Sequence, residues 1–205
     1  SRLAEGRVFS IGALTDRGAP ATAALLGYNY ASLFGAYQFG GYDALLPRYN
    51  SGITGPMDDT AIVDITQPEL CRVIELLRPW GVRHYLVSAA QDNLYAEIFA
   101  LRGIVRETAD SVRVIYRDPL ALPMAYLVKN QSAEGINCAI GANTITLETD
   151  LPEGGPVAVS FAYNPQFKVY VDGREMPVIK TRARQLGVYM PAGRHRAVFR
   201  YTDTL

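Results

Sequence analysis

Apolar residues recur at helical spacing just after residue 66. Four of them lie at positions i, i+3, i+4 and i+7, which places them on one face of a helix: Leu70, Val73, Ile74 and Leu77. Thr66 and Glu69 have the spacing of a capping box, and Gly81 is a helix-ending residue. The pattern predicts a helix that begins near residue 66 and leads directly into a strand at residues 82–88.

A second helix is predicted at residues 94–101, between a possible cap at Asp92 or Asn93 and a stop at Gly103. Short β-rich runs surround the two helices. They predict strands at residues 7–12, 82–88, 104–106, 111–117 and 124–128, with residues 107–110 as a turn. Such alternation of helices and strands is typical of an α/β arrangement with a small sheet.

The helical period disappears beyond residues 129–135. Seven short strand-like runs follow, at residues 136–140, 144–148, 157–161, 167–171, 177–180, 185–190 and 194–201. Turn signals separate them, notably Asp172-Gly173 and Pro191-Ala192-Gly193. Short strands at this spacing favour a β-sandwich. The predicted class is α+β: an α/β domain at 1–128, with a small mixed sheet and about two helices, and an antiparallel β-sandwich at 129–205.

Charge and polarity argue against a nucleic-acid partner and against a membrane-spanning helix. Twenty Lys and Arg balance twenty Asp and Glu, which disfavours a nucleic-acid partner. Residues 18–42 carry no charge and are long enough to cross a bilayer. Pro20, Asn29, Gln38 and several glycines make this segment too polar and too broken for a spanning helix. It is expected to form buried or half-buried loop and short helix.

The sequence gives little support for a metal or a cofactor. Cys71 and Cys138 lack the spacing of a metal site, and each is expected to be a small buried residue, although one disulfide is compatible with the sequence. Asp58, Asp59 and Asp64 form the densest carboxylate group, but their spacing is not that of an EF-hand loop. A solvated loop is the favoured interpretation, and no cofactor is predicted.

The candidate sugar-binding residues are Tyr37, Tyr42, Asp43, Arg48 and Tyr49. Thirteen tyrosines are a high count for this length, and tyrosine suits wet, amphipathic surfaces. Charged groups can bind sugar hydroxyls while aromatic faces contact the apolar C–H faces. The alternative is that the arginine and the aspartate form an ion pair that holds a loop.

Neither histidine belongs to a recognisable catalytic set. His84 is expected to pack within its strand, and His195 to hydrogen-bond the turn before it. Lys180, Arg182 and Arg184 alternate and predict a solvated strand face, with contact to lipid phosphates as the functional alternative.

A set of motifs occurs in a fixed order along the chain: Val171-Asp172-Gly173, Gly187-Val188, Pro191-Ala192-Gly193-Arg194-His195 and a final Tyr201, with earlier motifs at residues 7–9, 41–49, 81–87, 114–117 and 121–126. The C-terminal motifs resemble the closing segment of YfhO-type bacterial membrane proteins. The resemblance covers almost the whole chain and depends on the order of the motifs, since each motif alone has low specificity. Gln166-Phe167 stands where this family has Gly-Trp, so a hydrogen bond from the indole N–H is not expected here.

The resemblance implies the soluble extracytoplasmic domain of a polytopic GT-C type glycosyltransferase, at the outer face of the bacterial cell membrane. Transmembrane helices would flank the domain. The catalytic acid would lie in an early loop of the parent protein, so no catalytic residue is assigned to this chain. The implied partner is a glycan or a lipid-linked sugar, which the domain would position. A purely structural or protein-interaction module is the alternative, and an independent hydrolase is disfavoured because no nucleophile–base pair is apparent.

Overall fold

The structure, a computed structural model, describes residues 7–11, 37–38, 67–132, 134, 136–141 and 143–202. The chain divides into two compact units, Ser1–Ala121 and Leu122–Leu205. The sequence placed this division between residues 128 and 129. The strand Ala125–Leu127 pairs with a strand of the second unit, and the division therefore lies earlier in the chain.

The described part of the first unit has two α-helices and five strands. The helices are α1 (Gln67–Leu77) and α2 (Asp92–Leu101), and the strands are β1 (Arg7–Ile11), β2 (Tyr37–Gln38), β3 (Val82–Ser88), β4 (Val105–Ala109) and β5 (Arg113–Arg117). Both predicted helices are confirmed. Gly81 adopts a left-handed φ of 70° just after a 3₁₀ turn at Arg78–Trp80, which is the conformation expected of a glycine that ends a helix.

The predicted turn at residues 107–110 is wrong by several residues. Strand β4 continues through a register shift between Arg106 and Thr108 as far as Ala109. The turn begins at Asp110, whose Oδ1 accepts hydrogen bonds from the backbone N–H groups of Val112 (2.8 Å) and Arg113 (2.9 Å). An aspartate that binds the backbone two and three residues ahead is a turn signal that the sequence interpretation did not use.

The sheet of the first unit is mixed, as predicted. Its order is β2-β1-β3-β5-β4, with β1 parallel to both neighbours and β3, β5 and β4 antiparallel. The apolar face of α1 is buried at Leu70, Val73, Ile74 and Leu77. Phe99 of α2 contacts two strand residues, with its ring centroid 5.3 Å from that of Tyr85 and 4.5 Å from that of Tyr116.

The second unit is a β-sandwich, as predicted. Its strands are β6 (Ala125–Leu127), β7 (Ile136–Ile140), β8 (Thr144–Leu151), β9 (Gly155–Ala162), β10 (Phe167–Val171), β11 (Arg174–Met176), β12 (Ile179–Lys180), β13 (Gln185–Met190) and β14 (Gly193–Tyr201). One sheet has the order β11-β10-β14-β8-β7 and the other β12-β13-β9-β6, and all pairs are antiparallel.

Alternating side chains from both sheets fill the core of the sandwich. The five-stranded sheet contributes Ile145, Leu147, Val169 and Phe199, and the four-stranded sheet contributes Val157, Val159, Leu186, Val188 and Met190. The residues between them along each strand point to the outer faces. This alternation determines which polar and aromatic side chains meet solvent.

The Asp172-Gly173 hairpin is confirmed. Val171 of β10 pairs with Arg174 of β11, so the two residues between them form the whole loop. Asp172 has a φ of 50° and Gly173 a φ of 83°. Two successive positive φ values match the twist of the flanking strands, and aspartate and glycine are among the residues that tolerate them.

Candidate functional site

Two connections pass between the sheets at one end of the sandwich. Residues 152–154 lead from β8 to β9, and residues 191–192 lead from β13 to β14. A cleft of about 450 Å³ lies beside the first of these loops, lined by that loop, by the segment after β6, and by residues of β6, β9 and β13. We refer to it as the Tyr189 cleft; its lining comprises Leu127, Lys129, Asn130, residues 152–156 and Tyr189.

Tyr189 supplies the aromatic surface of the cleft. Its neighbours in β13, Val188 and Met190, are fully buried, so alternation directs Tyr189 to the outer face of the sheet. The side chain is 51% exposed and lies opposite Pro156 of β9. Its hydroxyl makes no hydrogen bond within the part of the chain that the structure describes. The ring is thus fixed by a rigid strand and remains accessible.

Polar groups stand around the ring. The ammonium of Lys129 lies 3.5 Å from Glu153 Oε2, and both side chains are largely exposed. Asn130 uses its Oδ1 to accept the backbone N–H of Ser132 at 3.2 Å. Because an exposed ion pair contributes little stability, Lys129 and Glu153 can rearrange around a ligand at small cost.

Gly154 allows the two connecting loops to pack closely. A Cβ atom at this position would lie 3.0 Å from the carbonyl oxygen of Met190 and 3.2 Å from the backbone nitrogen of Ala192. At Gly155 the nearest atom to such a Cβ would be Leu127 Cδ2, at an ordinary 3.5 Å. The loop wall of the cleft therefore depends on the missing side chain of Gly154.

His195 secures the same end of the sandwich. Its Nδ1 lies 2.6 Å from Asp172 Oδ2, and its Nε2 lies 2.9 Å from the carbonyl oxygen of Ala192. The hydrogen bonds to Asp172 and to Ala192 raise the pKa of His195. Both ring nitrogens face acceptors, so the ring binds as an imidazolium and has no nitrogen left to act as a base. The prediction that His195 hydrogen-bonds the turn is confirmed.

A second cavity of about 440 Å³ lies beside His195. It is lined by charged and polar side chains of β7, β8 and β14 and by Asp172. Arg194 of this set forms an ion pair with Asp150 at 3.3 Å.

The residues predicted to bind sugar lie mostly outside the described part of the chain. Tyr37 lies in β2, where its backbone is paired with Arg7. Tyr42, Asp43, Arg48 and Tyr49 are outside the described residues, as are Asp58, Asp59 and Asp64. Whether the sugar-binding group comes together stays a prediction.

The basic cluster does not form an alternating strand face. Strand β12 ends at Lys180, and residues 181–184 form a turn in which the N–H of Arg184 donates to the carbonyl of Thr181 at 3.0 Å. Arg184 has a φ of 58°, which is not a strand conformation. The predicted alternation is wrong because a turn interrupts it.

The other predicted residues have structural surroundings. His84 is buried as expected, with Nε2 3.7 Å from Glu107 Oε2. Cys71 and Cys138 are free thiols and are half-buried rather than fully buried, because Cys71 lies at the margin of the apolar face of α1 and Cys138 lies in β7 at the edge of its sheet. No disulfide joins them.

The sequence interpretation missed a buried ion pair in the first unit. Arg78 Nε donates to Asp118 Oδ2 at 2.8 Å, and Arg78 Nη2 donates to the carbonyl of Arg102 at 2.8 Å. Burial alone would lower the pKa of Arg78, but the hydrogen bond and charge of Asp118 outweigh it, and the pKa is raised. Asp118 is fully buried, so this pair is a structural element and not an exposed site.

The sequence interpretation also missed Tyr189. The alternation Leu186, Val188, Met190 places residue 189 on the outer face of the sheet. A single exposed large residue is ordinary on a protein surface, so this alternation alone does not mark a site. The residues around it come from loops whose approach could not be inferred from the sequence.

Among the described residues, no helix has the length and apolar character needed to span a membrane. Within the same residues, no group of three or more His, Cys, Asp or Glu side chains could hold a metal ion. No protein-family model, no curated protein and no solved structure matches the chain.

Proposed function

We propose that the chain is a non-catalytic glycan-binding domain that holds a sugar in the Tyr189 cleft. The observation that carries this proposal is the half-exposed ring of Tyr189 in a cleft of about 450 Å³ with Lys129, Asn130 and Glu153 around it. The cleft lies within the size range of small-molecule sites.

The chemistry of the cleft suits a pyranose. A sugar ring has an apolar C–H face, which loses little when it leaves water to lie on an aromatic ring. Its hydroxyls require donors and acceptors at the edge, and Asn130 can supply both. Lys129 donates and Glu153 accepts, so the rim can bind neighbouring hydroxyls of opposite hydrogen-bond direction.

The described residues around both cavities favour binding over catalysis. His195 has acceptors at both ring nitrogens, and no serine, cysteine or histidine is among the described residues that line the Tyr189 cleft. A hydrolytic site needs a nucleophile within hydrogen-bond reach of a base. The cleft offers a contact surface and hydrogen bonds, which are sufficient to position a ligand.

The resemblance to YfhO-type proteins supplies the biological setting of the proposal. The domain would lie at the extracytoplasmic face of a bacterial membrane, as part of a GT-C type glycosyltransferase-like protein. It would position a glycan acceptor or a lipid-linked donor beside the catalytic part of the parent protein. Tyr37, Tyr42, Asp43, Arg48 and Tyr49 would add a further sugar-contacting surface.

Calorimetric titration of the full chain with methyl glycosides of the common hexoses and N-acetylhexosamines tests the proposal. At least one glycoside should bind, and Tyr189→Ala should weaken it about tenfold, since an aromatic contact contributes roughly 1 kcal/mol beyond its buried area. Tyr170→Ala is the matched control, because Tyr170 lies on the outer face of the other sheet under the guanidinium of Arg200.

Two results would contradict glycan binding in this cleft. One is the absence of binding by every glycoside in the panel. The other is equal loss of affinity in the Tyr189 and Tyr170 variants. The first would leave the interaction-module alternative as the better explanation of an exposed tyrosine beside Leu127 and Pro156.

A further inference from the structure

We infer that the cavity beside His195 is a second, fully polar subsite, which binds the hydroxyl groups of a neutral polyhydroxylated ligand. The inference deepens the proposed function and rests on it, because a glycan carries the hydroxyl groups that such a site would bind. The residues that would bind are Asn137, Glu148 and Arg196 on the outer face of the five-stranded sheet.

These three side chains form a row across adjacent strands. Asn137 of β7 is the cross-strand partner of Glu148 of β8, and Glu148 is the partner of Arg196 of β14. Each side chain is exposed on the outer face. Adjacent strands are about 4.8 Å apart, so an amide, a carboxylate and a guanidinium follow one another across the sheet.

Among the described residues, these three side chains have no hydrogen-bond or ion-pair partner, whereas their charged neighbours are paired. Arg194 is bound to Asp150, and Asp172 is bound to His195. Within the described residues, the side chains of Asn137, Glu148 and Arg196 form no hydrogen bond and no ion pair. Glu148 and Arg196 face each other and still do not meet, although opposite charges at directly opposed positions commonly do.

The backbone under the row is held in place. The N–H of Arg196 donates to Asp172 Oδ1 at 2.9 Å, and the N–H of Asp172 donates to the carbonyl of Arg196 at 2.9 Å. The imidazole of His195 binds the other carboxylate oxygen of Asp172. A fixed backbone limits the ordering cost of binding to the side chains themselves.

The lining indicates the class of ligand. Two arginines and three carboxylates line the cavity, so charges of both signs are present and a strongly charged ligand gains little. Among the described residues that line it there is no Phe, Tyr or Trp. The guanidinium donates, the carboxylate accepts and the amide does both, which suits the hydroxyl groups of a polyol.

The subsite and the Tyr189 cleft lie toward the same end of the sandwich, on the outer faces of different sheets. Asn137, Glu148 and Arg196 belong to the five-stranded sheet, whereas Tyr189 belongs to the four-stranded sheet. The two sites are therefore separate contacts for the hydroxyl groups of a ligand.

Amide chemical shifts of the full chain, titrated with D-mannitol, test the subsite. Mannitol offers hydroxyls but no rigid C–H face. Saturable shifts are expected at Asn137, Glu148 and Arg196. Glu148→Gln and Arg196→Gln should each weaken binding at least threefold, whereas Glu175→Gln, in an exposed ion pair with Lys168 on the same sheet, should not.

Absence of saturable shifts at this row overturns the subsite, and so does equal affinity of Arg196→Gln and the native chain. The proposed function is tested separately from the subsite. The chemical-shift changes that methyl glycosides cause at Tyr189 should persist in Arg196→Gln and disappear in Tyr189→Ala. Circular dichroism of each variant shows whether the fold is retained, which is expected because all the altered side chains are exposed.

Discussion

The imidazole of His195 donates from Nδ1 to the carboxylate of Asp172 at 2.6 Å, and this contact links the β10–β11 hairpin to strand β14. Asp172 lies in the β10–β11 turn at a φ of 50°, and His195 lies in β14 just after the loop that crosses between the sheets. Through Nε2 the same ring holds Ala192 of that loop. One side chain thus secures a turn and the loop at residues 191–192.

The stability of the fold should fall as pH rises above neutrality. The hydrogen bond to Asp172 raises the pKa of His195 above its ordinary 6.5. The contribution of the imidazolium is therefore fully present below pH 6.5 and is lost as pH rises through the higher pKa of the folded state. Thermal unfolding followed from about pH 5.5 to about pH 9 should show this decline in stability. His195→Gln should make the decline smaller.

The stability of the fold should also fall in acid, because of Asp172. The backbone N–H of Arg196 and the His195 hydrogen bond lower the pKa of Asp172 below its ordinary 3.8. Its contribution is present above pH 3.8 and is lost as pH falls through the lower folded pKa. A His195→Gln variant whose loss of stability is the same at every pH would contradict the ionic link.

Gly154→Ala should destabilise the second unit by about 1–3 kcal/mol, the range for overpacked sites. The new Cβ would meet the backbone of Met190 and Ala192 at 3.0 and 3.2 Å, and backbone atoms cannot move aside as a flexible side chain can. Gly155→Ala is the matched control, because its Cβ meets only Leu127 Cδ2 at 3.5 Å. Denaturant unfolding of both variants measures the difference, and equal stabilities would contradict close packing of the two loops.

Asp118→Ala should cost about 3 kcal/mol or more in the free energy of unfolding, since it leaves the charge of Arg78 without its buried partner. Asp118 is fully buried, and it also accepts the N–H of Leu120 at 2.9 Å. Glu75→Gln removes an exposed partner of the same guanidinium and should have a small effect. Chemical denaturation followed by tyrosine and tryptophan fluorescence compares them; a larger loss in the Glu75 variant would show that the buried pair is not the important one.

Glu153→Gln should weaken glycoside binding without a change in the melting temperature. Its pair with Lys129 is exposed, so the variant removes the negative charge and one of the two acceptor oxygens and changes little else. Glu175→Gln removes a similar exposed pair, with Lys168, on the other sheet and serves as the control. An unchanged affinity of Glu153→Gln for the glycoside would show that this carboxylate does not bind the sugar.

The sequence predicted the elements that depend on local chemistry. The apolar period from Leu70 to Leu77 gave α1, and Asp172-Gly173 gave the β10–β11 hairpin with its two-residue loop. The strand-like runs at residues 185–190 and 194–201 gave β13 and β14. These features require only the side-chain period of an element or the φ preference of a turn.

The cleft and the buried ion pair could not be predicted in the same way. Arg78 and Asp118 are far apart in the chain and meet because a helix end and a strand end adjoin. Tyr189 lines a cleft because the loop at residues 152–154 and the segment after β6 lie beside it. Such approaches depend on the packing of the sandwich, which no local pattern contains.

The most direct test of glycan binding is a map of amide chemical shifts with the best methyl glycoside of the panel. We expect saturable shifts concentrated at Lys129, Asn130, Glu153, Gly154 and Tyr189, all of which line the cleft. The same titration of Tyr189→Ala should show them greatly reduced at every concentration. Saturable shifts confined to other parts of the chain, or full retention of the shifts in Tyr189→Ala, would contradict the assignment of this cleft as the sugar site.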